Sequence, residues 1–483
     1  MQSSSLSRRR LLQAAGAAAL AGAAVGLDAA PASASPAVQF ANPLIRQRAD
    51  PFITRHTDEY YYFTASVPAY DRIVMRRSTS LQGLASASEA TVWSKHSSGP
   101  MSHHIWAPEL HRVDGRWYLY FAAGRAEDVW RIRMYVLENS SANPMSGTWV
   151  ERGQISTPRD SFSLDATTFT QGSTRYLCWA QSDPELGSGT SLYLAAMSSP
   201  WAITGEPVRI SMPTHAWERI GHNVNEGAAV IQRNGRFFMT FSASATDANY
   251  AMGLLTASQD ADLLDPSSWT KNPQPVLRSD DRTGQYGPGH NSFTVSEDGQ
   301  SDILVYHARP YRDIDGDPLY DPNRHTRLQK FYWRADGTPD FGIPVADGAS
   351  PHRFAAYGRP GVFLHHYDFR VRADASPAML ADSQFRIAAG LAGSGTVSLE
   401  SANYPGHYLR HRDYECWVES DDGSALFGQD ASFHRRGGLA GTGAESFESV
   451  NFPGRYLRCQ NGLAYLHEPG TAQDRADATF VLE

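Results

Sequence analysis

The sequence predicts an all-β fold in which a five-bladed β-propeller is followed by a β-trefoil. Two sets of internal repeats support this prediction, one with five copies and one with three, and helical periodicity is hard to find between the five copies. The chain of 483 residues is also too long for one ordinary hydrophobic core, which indicates two or more domains.

The repeat with five copies is a short run of apolar and aromatic residues, typical of a buried β-strand. Its copies are separated by steps of 58, 58, 62 and 66 residues, and four of the five follow a turn-forming pair such as Asp-Gly or Asn-Gly. A strand-rich repeat of about sixty residues fits a propeller blade of four strands, whereas a β-sandwich would show such even steps only by coincidence. The steps are measured at Phe63, Phe121, Trp179, Phe241 and His307.

The repeat with three copies occupies the last part of the chain. Each copy contains a glycine followed by a short strand-like run, and it closes with an aspartate three residues before a phenylalanine. The aspartates are 48 and 47 residues apart, and three repeats of this length with a few short strands each predict a β-trefoil. The closing pairs are Asp382 with Phe385, Asp430 with Phe433, and Asp477 with Phe480.

Residues 1–37 are predicted to be an export signal rather than part of the fold. Arginines at 8–10 stand next to two leucines and precede an apolar stretch at 14–25 and an Ala-Ser-Ala motif at 32–34, a pattern that resembles a twin-arginine signal. Because the apolar stretch is too short for a good membrane span, we expect a secreted, soluble, extracellular protein with no membrane partner. The propeller is then assigned to residues 38–348 and the trefoil to residues 349–483.

The net charge bears on the possible partners, and the cysteine content bears on possible disulfides. The net charge of −8 and the absence of a long basic run beyond the N-terminus argue against a nucleic-acid partner, and we expect a monomer. Three cysteines make no disulfide framework. Cys178 lies in an apolar run and is predicted to be buried, whereas a disulfide between Cys416 and Cys459 is left open.

Four polar residues lie shortly before the copies of the five-fold repeat: Asp50, Asp165, Glu226 and His290, at 13, 14, 15 and 17 residues from the aligned position. The second copy offers the segment Trp106-Ala107-Pro108-Glu109 at the same level. Since the innermost strand of each blade lines the central channel, these side chains are expected to converge there. Each alone could be a turn or cap residue. Together they suit glycosidic cleavage, which needs one protonated and one ionised carboxyl group.

Four motifs in this order resemble glycoside hydrolase family 43: Arg-Ala-Asp-Pro-Phe at 48–52, Trp-Ala-Pro-Glu-Leu at 106–110, Asp-Ala at 165–166 and Asn-Glu-Gly at 225–227. The resemblance covers roughly residues 40–345. It implies a five-bladed propeller and an inverting mechanism. By the same resemblance Asp50 is the general base, Glu226 the general acid, and Asp165 the residue that orients the acid and tunes its pKa.

Three further residues follow from the resemblance. His290 resembles an axial histidine that helps to hold a structural cation, calcium or sodium, in the channel, although a hydrogen-bonded core histidine would look the same. No other cofactor is expected. Arg324 resembles an arginine that contacts the sugar in the −1 subsite. Trp106 is a candidate stacking wall for the sugar, and strand packing is the alternative.

The C-terminal repeats resemble the arabinose-binding trefoil called carbohydrate-binding module family 42, whose pockets pair a histidine with an aspartate. That resemblance assigns sugar binding to His366 with Asp382 and to His411 with Asp430. In the third repeat Cys459 stands where the histidine is expected, so whether a pocket at Asp477 binds sugar is left open.

The combination of domains resembles an α-L-arabinofuranosidase that is expected to release L-arabinofuranose from the ends of α-1,5-linked arabinan. Arabinan and other arabinose-containing saccharides are therefore the expected partners. Two alternatives stay open. One is a β-xylosidase or other glycosidase on the same scaffold, and the other is a non-catalytic sugar-binding protein.

Overall fold

The computed structural model describes residues 39–375, 377 and 379–483, so the predicted export signal lies outside the described residues. The described part is built almost entirely of antiparallel β-strands, joined by short turns, five 3₁₀ helices and two short α-helices. Nowhere in it is there a helix both long and apolar enough to cross a membrane.

Five separate antiparallel sheets form the propeller, and in each the strands follow one another in sequence order. β1 (Ala41–Asn42) precedes them. Blade 1 contains β2 (Ala49–Arg55), β3 (Tyr61–Ser66), β4 (Arg72–Ser78) and β5 (Ala90–Ser94). Blade 2 contains β6 (Pro100–Val113), β7 (Arg116–Arg125), β8 (Asp128–Asn139) and β9 (Val150–Gln154). Blade 3 contains β10 (Ser163–Gln171), β11 (Thr174–Ser182), β12 (Thr190–Ser199) and β13 (Ala202–Ser211).

The last two blades complete the ring. Blade 4 contains β14 (Asn225–Arg233), β15 (Arg236–Ala243), β16 (Ala251–Ser258) and β17 (Thr270–Lys271). Blade 5 contains β18 (Tyr286–Val295), β19 (Asp302–Arg309) and β20 (His325–Lys330). The following short strands are β21 (Tyr332–Trp333), β22 (Pro339–Asp340) and β23 (Gly348–Ala349). β1 pairs with β23, and Ile45 bridges to Thr326, so the start of the propeller is held against its end.

The five-fold aromatic motif forms the second strand of each blade, and the residue on which its copies align is at most 1% exposed in every blade. Burying such a large side chain stabilises the fold by about 1.5–3 kcal/mol. The five-bladed prediction is therefore confirmed. The motif recurs because each blade must bury its faces against side chains of the neighbouring blades.

The C-terminal trefoil consists of twelve strands in one continuous sheet. Its strands are β24 (His352–Ala356), β25 (Phe363–Tyr367), β26 (Arg370–Asp374), β27 (Gln384–Ala389), β28 (Val397–Ser401), β29 (His407–Arg412), β30 (Glu415–Ser420), β31 (Phe433–Gly437), β32 (Glu445–Ser449), β33 (Tyr456–Gln460), β34 (Leu463–His467) and β35 (Phe480–Leu482). The two α-helices are α1 (Ala425–Asp430) and α2 (Ala472–Asp477). The 3₁₀ helices span Gln82–Ala85, Pro184–Leu186, Ala216–Glu218, Pro266–Ser268 and Leu380–Ser383.

The trefoil prediction is also confirmed. Three hairpins repeat, and the phenylalanine that follows each closing aspartate is fully buried in a common core. Each closing aspartate lies in a short helix, which turns the chain between one repeat and the next. All three cysteines are buried and unpaired, so Cys416 and Cys459 form no disulfide in this structure.

Candidate active site

The innermost strand of every blade carries the same distortion at the channel. Its pairing with the second strand shifts register there, and one residue adopts a left-handed conformation, with φ between 42° and 57°. Such bulges re-aim side chains, and left-handed non-glycine residues cost of order 1–3 kcal/mol, so they are concentrated at functional sites. The left-handed residues at this shared position are Asp50, Ala107, Asp165, Gly227 and His290; Met101 and His104 in β6 and Gly287 in β18 are left-handed elsewhere in their strands.

This register refines the sequence alignment of the site. Asp50, Asp165 and His290 occupy equivalent positions, whereas Glu226 lies one residue earlier than its blade's left-handed residue, Gly227. A Cβ atom at Gly227 would lie 3.1 Å from the His290 ring, so glycine allows the close approach of these two blades. For blade 2 the sequence analysis placed the whole segment 106–109 at this level. Ala107 takes the equivalent position there, and Glu109 instead pairs with His111 at 2.7 Å.

Asp50 is the most heavily contacted carboxylate of the site. Its Oδ1 lies 3.3 Å from His290 Nδ1 and 3.5 Å from Arg324 Nη1, and its Oδ2 accepts a hydrogen bond from Ser66 at 2.6 Å. Burial opposes its ionisation, but the positive charges of His290 and Arg324 outweigh burial and hold the pKa of Asp50 well below its usual range. Asp50 is therefore ionised at any ordinary pH.

For Glu226 and Asp165 the pKa is shifted in the opposite direction, above the usual value. Burial and the negative charge of Asp165 raise the pKa of Glu226 to about 7, against a hydrogen bond of 2.8 Å from Tyr250 to its Oε1, which lowers it. Burial also raises the pKa of Asp165, whose Oδ2 accepts the backbone N–H of Gly227 at 3.0 Å. Asp165 therefore both fixes the backbone beside Glu226 and favours a protonated Glu226.

His290 lies between the two aspartates, with Nδ1 also 3.9 Å from Asp165 Oδ2. Burial disfavours its charge, yet the neighbouring carboxylates raise its pKa. The described residues include no group of three or more His, Cys, Asp or Glu side chains arranged to hold a metal ion. Because Nδ1 of His290 faces two carboxylates, the side chains alone do not make a cation site, and the cation stays a prediction.

Around these groups lies a cavity of about 420 Å³. Arg324 and Trp106 line it, as the sequence analysis expected, and both are less than 8% exposed. Arg324 donates through Nη2 to Tyr70 at 2.7 Å, which fixes its guanidinium beside Asp50. The segment 317–319 also lines the cavity, and it is held by hydrogen bonds from Tyr70 to the carbonyl of Leu319 at 2.5 Å and from Arg309 to that of Pro318 at 2.6 Å.

Two site residues escaped the sequence analysis. Tyr250 donates to Glu226, and its ring stacks on His307 at 5.7 Å with the planes only 6° apart. His307 accepts the backbone N–H of Asp50 through Nδ1 at 3.1 Å, and burial lowers its pKa to about 3, so it remains neutral. His307 had a visible signal, since it is the one polar residue among the five aligned aromatic positions. Tyr250 had none.

Two pockets in the trefoil share one arrangement. His366 Nε2 lies 3.6 Å from Asp382 Oδ1, and Asn403 joins them by accepting from the histidine at 3.1 Å and donating to the aspartate at 2.7 Å. In the second repeat His411 and Asp430 are 3.4 Å apart, and the corresponding asparagine again bridges them. That second bridging asparagine is Asn451, at 3.0 and 2.7 Å.

Each of these pockets also has aromatic walls. Phe369 stacks on His366, and Tyr404 approaches both rings in the first repeat; Tyr414 and Phe452 occupy the corresponding places in the second. The sequence analysis missed the asparagines and these aromatic residues. The signal for the asparagines was the echo between 398–403 and 446–451, which ends on asparagine in both copies.

The third position in the trefoil keeps only its aspartate. Cys459 replaces the histidine, Gly358 stands at the place of the asparagine, and Arg359 follows it where the other repeats have an aromatic residue. Asp477 lies 3.6 Å from Arg359 and 3.8 Å from Arg458 instead of contacting a histidine and an asparagine. The structure thus brings together the predicted residues of two sugar pockets and not of a third.

Comparison with known proteins agrees with this geometry. Residues 40–339 match the model of glycosyl hydrolases family 43, and residues 352–482 match the alpha-L-arabinofuranosidase B (ABFB) domain. The chain belongs to glycosyl hydrolases family 43. The resemblances to this family and to the arabinose-binding trefoil are therefore confirmed.

Individual relatives are similar to this chain over most of their length. The chain is 62% identical over 398 residues to a Streptomyces avermitilis protein named extracellular exo-α-(1→5)-L-arabinofuranosidase, and the match covers 82% of this chain and 83% of the relative. It is 55% identical over 410 residues to α-L-arabinofuranosidase 43 of Humicola insolens, covering 83% and 85%. The crystal structure of an α-L-arabinofuranosidase from Lactobacillus brevis superimposes with a TM-score of 0.62 at 55% identity, covering 64% of this chain and 98% of that one.

Proposed function

We propose that this family 43 enzyme is a secreted, inverting exo-α-L-arabinofuranosidase that releases L-arabinofuranose from the non-reducing ends of α-1,5-linked arabinan. The observation that carries the proposal is the opposite protonation of two carboxyl groups in one pocket, Asp50 ionised and Glu226 protonated near neutral pH. The names of the relatives indicate the sugar and the linkage.

The reaction needs one proton to arrive and one to leave. Asp50 accepts a proton from a water molecule as that water attacks the anomeric carbon of the bound arabinofuranose. Glu226 donates its proton to the glycosidic oxygen as the bond to the leaving sugar breaks. The water attacks from the face opposite the leaving group, so the configuration at the anomeric carbon is inverted.

The neighbouring residues prepare this proton transfer. Asp165 holds the backbone of Gly227 and keeps negative charge near Glu226, which favours the protonated acid. Arg324 is fixed by Tyr70 and Asp50 and can donate to hydroxyl groups of the terminal sugar. Trp106 forms a wall of the pocket on which the sugar ring can stack.

Action at chain ends is supported by the name of the Streptomyces avermitilis relative, an exo-α-(1→5)-L-arabinofuranosidase. The segment 317–319, which lines the pocket, is anchored by Tyr70 and by the fully buried Arg309 and so forms a fixed wall. A cleft that accommodates the middle of a polysaccharide must be open at both ends, whereas an enzyme that acts on chain ends needs a pocket for a single terminal residue.

The trefoil is proposed to bind arabinan through the pockets of His366 with Asp382 and of His411 with Asp430. Holding the enzyme on the polymer raises the local concentration of chain ends without adding catalytic contacts. Export through the twin-arginine route, a monomeric state and a channel cation remain parts of the proposal.

The test is the release of sugar from linear α-1,5-arabinan by the mature chain and by its Glu226→Gln variant. We expect arabinose as the first product from the unchanged chain and a loss of about 10³-fold or more in kcat for the variant, since its amide cannot act as an acid. Thermal unfolding of both proteins controls for folding. Early oligosaccharide products would contradict exo action, and a preference for nitrophenyl β-xyloside over the arabinofuranoside would contradict the sugar.

A further inference from the structure

Two aromatic side chains beside the pocket are unusually exposed. Trp130, near the start of β8 in blade 2, is 53% exposed, and Tyr320, between β19 and β20 of blade 5, is 54% exposed. Most other large hydrophobic side chains of the described residues are buried or half-buried. Exposed aromatic surface next to a functional pocket often marks a site that binds a ligand.

A single buried histidine holds both aromatic residues in place. His104 is 1% exposed, and its Nδ1–H donates to the carbonyl of Val129, the residue before Trp130, at 3.0 Å. Its Nε2 accepts the hydroxyl hydrogen of Tyr320 at 3.2 Å. The ring of His104 lies 5.0 Å from that of Trp130. Two segments that are far apart in the sequence are thereby fixed to one another, which limits the entropy that a ligand would have to remove.

The exposed pair is continuous with the active site. Trp130 itself lines the cavity, and its ring lies 6.2 Å from that of Trp106 in the pocket wall. Trp106 in turn stacks on His104 at 4.4 Å. On the other side Leu319, the neighbour of Tyr320, also lines the cavity. The aromatic surface therefore begins where the pocket opens.

We propose that Trp130 and Tyr320, held by His104, form a stacking platform for the neutral sugar residues on the leaving side of the cleaved bond. This inference rests on the proposed exo action, because a pocket that encloses the terminal sugar leaves only its mouth for the rest of the chain. The C–H faces of a sugar ring pack on aromatic rings, and Trp and Tyr lose little rotamer freedom on binding. The platform makes Trp130 and Tyr320 determinants of chain-length preference.

The experiment compares a substrate that reaches the platform with one that does not. For Trp130→Ala we expect kcat/KM on α-1,5-arabinotetraose to fall about tenfold, equivalent to about 1.4 kcal/mol, mainly through KM. On methyl α-L-arabinofuranoside, which has no leaving-side sugar, the loss of kcat/KM should be clearly smaller than on the tetraose, because only a methyl group stands where the second sugar would contact the platform. Trp130→Phe should restore most of the activity on the tetraose.

Two further variants sharpen the outcome. Tyr320→Ala should show the same selective loss, and Tyr367→Ala, at a trefoil residue with a similar 52% exposure, should change neither rate. An equal loss on both substrates for Trp130→Ala would overturn the platform, because Trp130 would then be acting through the pocket. So would an unchanged rate on the tetraose. If the unchanged chain hydrolyses neither arabinofuranoside, the proposed function itself fails and the platform with it.

Discussion

The proposed catalytic pocket of the propeller and the proposed sugar pockets of the trefoil contain the same pair of residues, a histidine against an aspartate. His290 lies 3.3 Å from Asp50, and His411 lies 3.4 Å from Asp430. The pair alone therefore does not distinguish a site of chemistry from a site of binding. The difference lies in what surrounds it.

In the trefoil each carboxylate has its own hydrogen-bond donors. Asp430 accepts from Asn451 at 2.7 Å and from Arg410 at 2.6 Å, which leaves a fixed polar surface for a hydroxyl group. In the propeller Asp50, Asp165 and Glu226 also accept hydrogen bonds, but in addition their charges act on one another within one buried space. Because two of them resist ionisation there, a proton is stored at the site. Burial and the nearby carboxylates favour the protonated acid Glu226, whereas His290 and Arg324 keep the base Asp50 ionised.

The largest expected effect separates the two kinds of aspartate. Asp50→Asn removes the proposed base and should lower kcat on arabino-oligosaccharides by about 10³-fold, within the range of general-base catalysis. Asp430→Asn changes the corresponding aspartate of a trefoil pocket and should leave that kcat unchanged. Steady-state hydrolysis of arabinotriose by both variants checks this expectation. Comparable losses would mean that the trefoil takes part in the chemistry.

The next effect concerns charge coupling inside the propeller pocket. A general acid works only while protonated, so kcat/KM of the unchanged chain should fall as pH rises through the Glu226 pKa of about 7. Asp165→Asn removes a negative charge that favours the protonated acid. We therefore expect the alkaline limb of the pH profile to move to lower pH and kcat to fall by about 10²-fold. A pH profile that keeps its position would show that Asp165 only holds the backbone of Gly227.

A smaller effect of opposite sign is expected at Tyr250. Its hydrogen bond stabilises the ionised form of Glu226, so Tyr250→Phe should raise the pKa of the acid and move the alkaline limb to higher pH. The expected loss in kcat is about tenfold, since one hydrogen bond that orients the acid is removed. The same pH titration of kcat/KM measures both variants. Shifts in the same direction for the two variants would contradict the proposed coupling.

The contrast between pockets also explains what the sequence could predict. The sequence repeats predicted both folds, because every blade and every trefoil unit buries the same pattern of strand residues. They also located Asp50, Asp165, Glu226 and His290, since equivalent strands converge at the channel. The bulge register could not be read from the sequence, because it depends on pairing between strands, and so the segment 106–109 was located without showing that Ala107 takes the equivalent position.

Residues outside the repeats were harder to predict. Tyr250 and Trp130 line the pocket, and Tyr320 lies beside Leu319, which also lines it. Their positions depend on tertiary packing that the repeats do not specify. Arg324 was found only through family resemblance. Asn403, by contrast, lay within a visible repeat and could have been recognised, since its amide is the natural bridge between a histidine and an aspartate.

The smallest effects distinguish the three trefoil positions. His366→Ala removes one of the two complete pockets, so the two pockets can no longer bind one arabinan chain at the same time. The apparent affinity for arabinan should therefore fall by about tenfold, a small avidity effect. Asp477→Asn should leave that affinity unchanged, because its position lacks the histidine, the asparagine and the aromatic residue of the other two, and its carboxylate faces Arg359 and Arg458. Binding of the Glu226→Gln background to immobilised arabinan measures both. A loss of affinity in the Asp477 variant would show that two arginines can replace the histidine and asparagine as partners for a sugar, and that the trefoil has three sites.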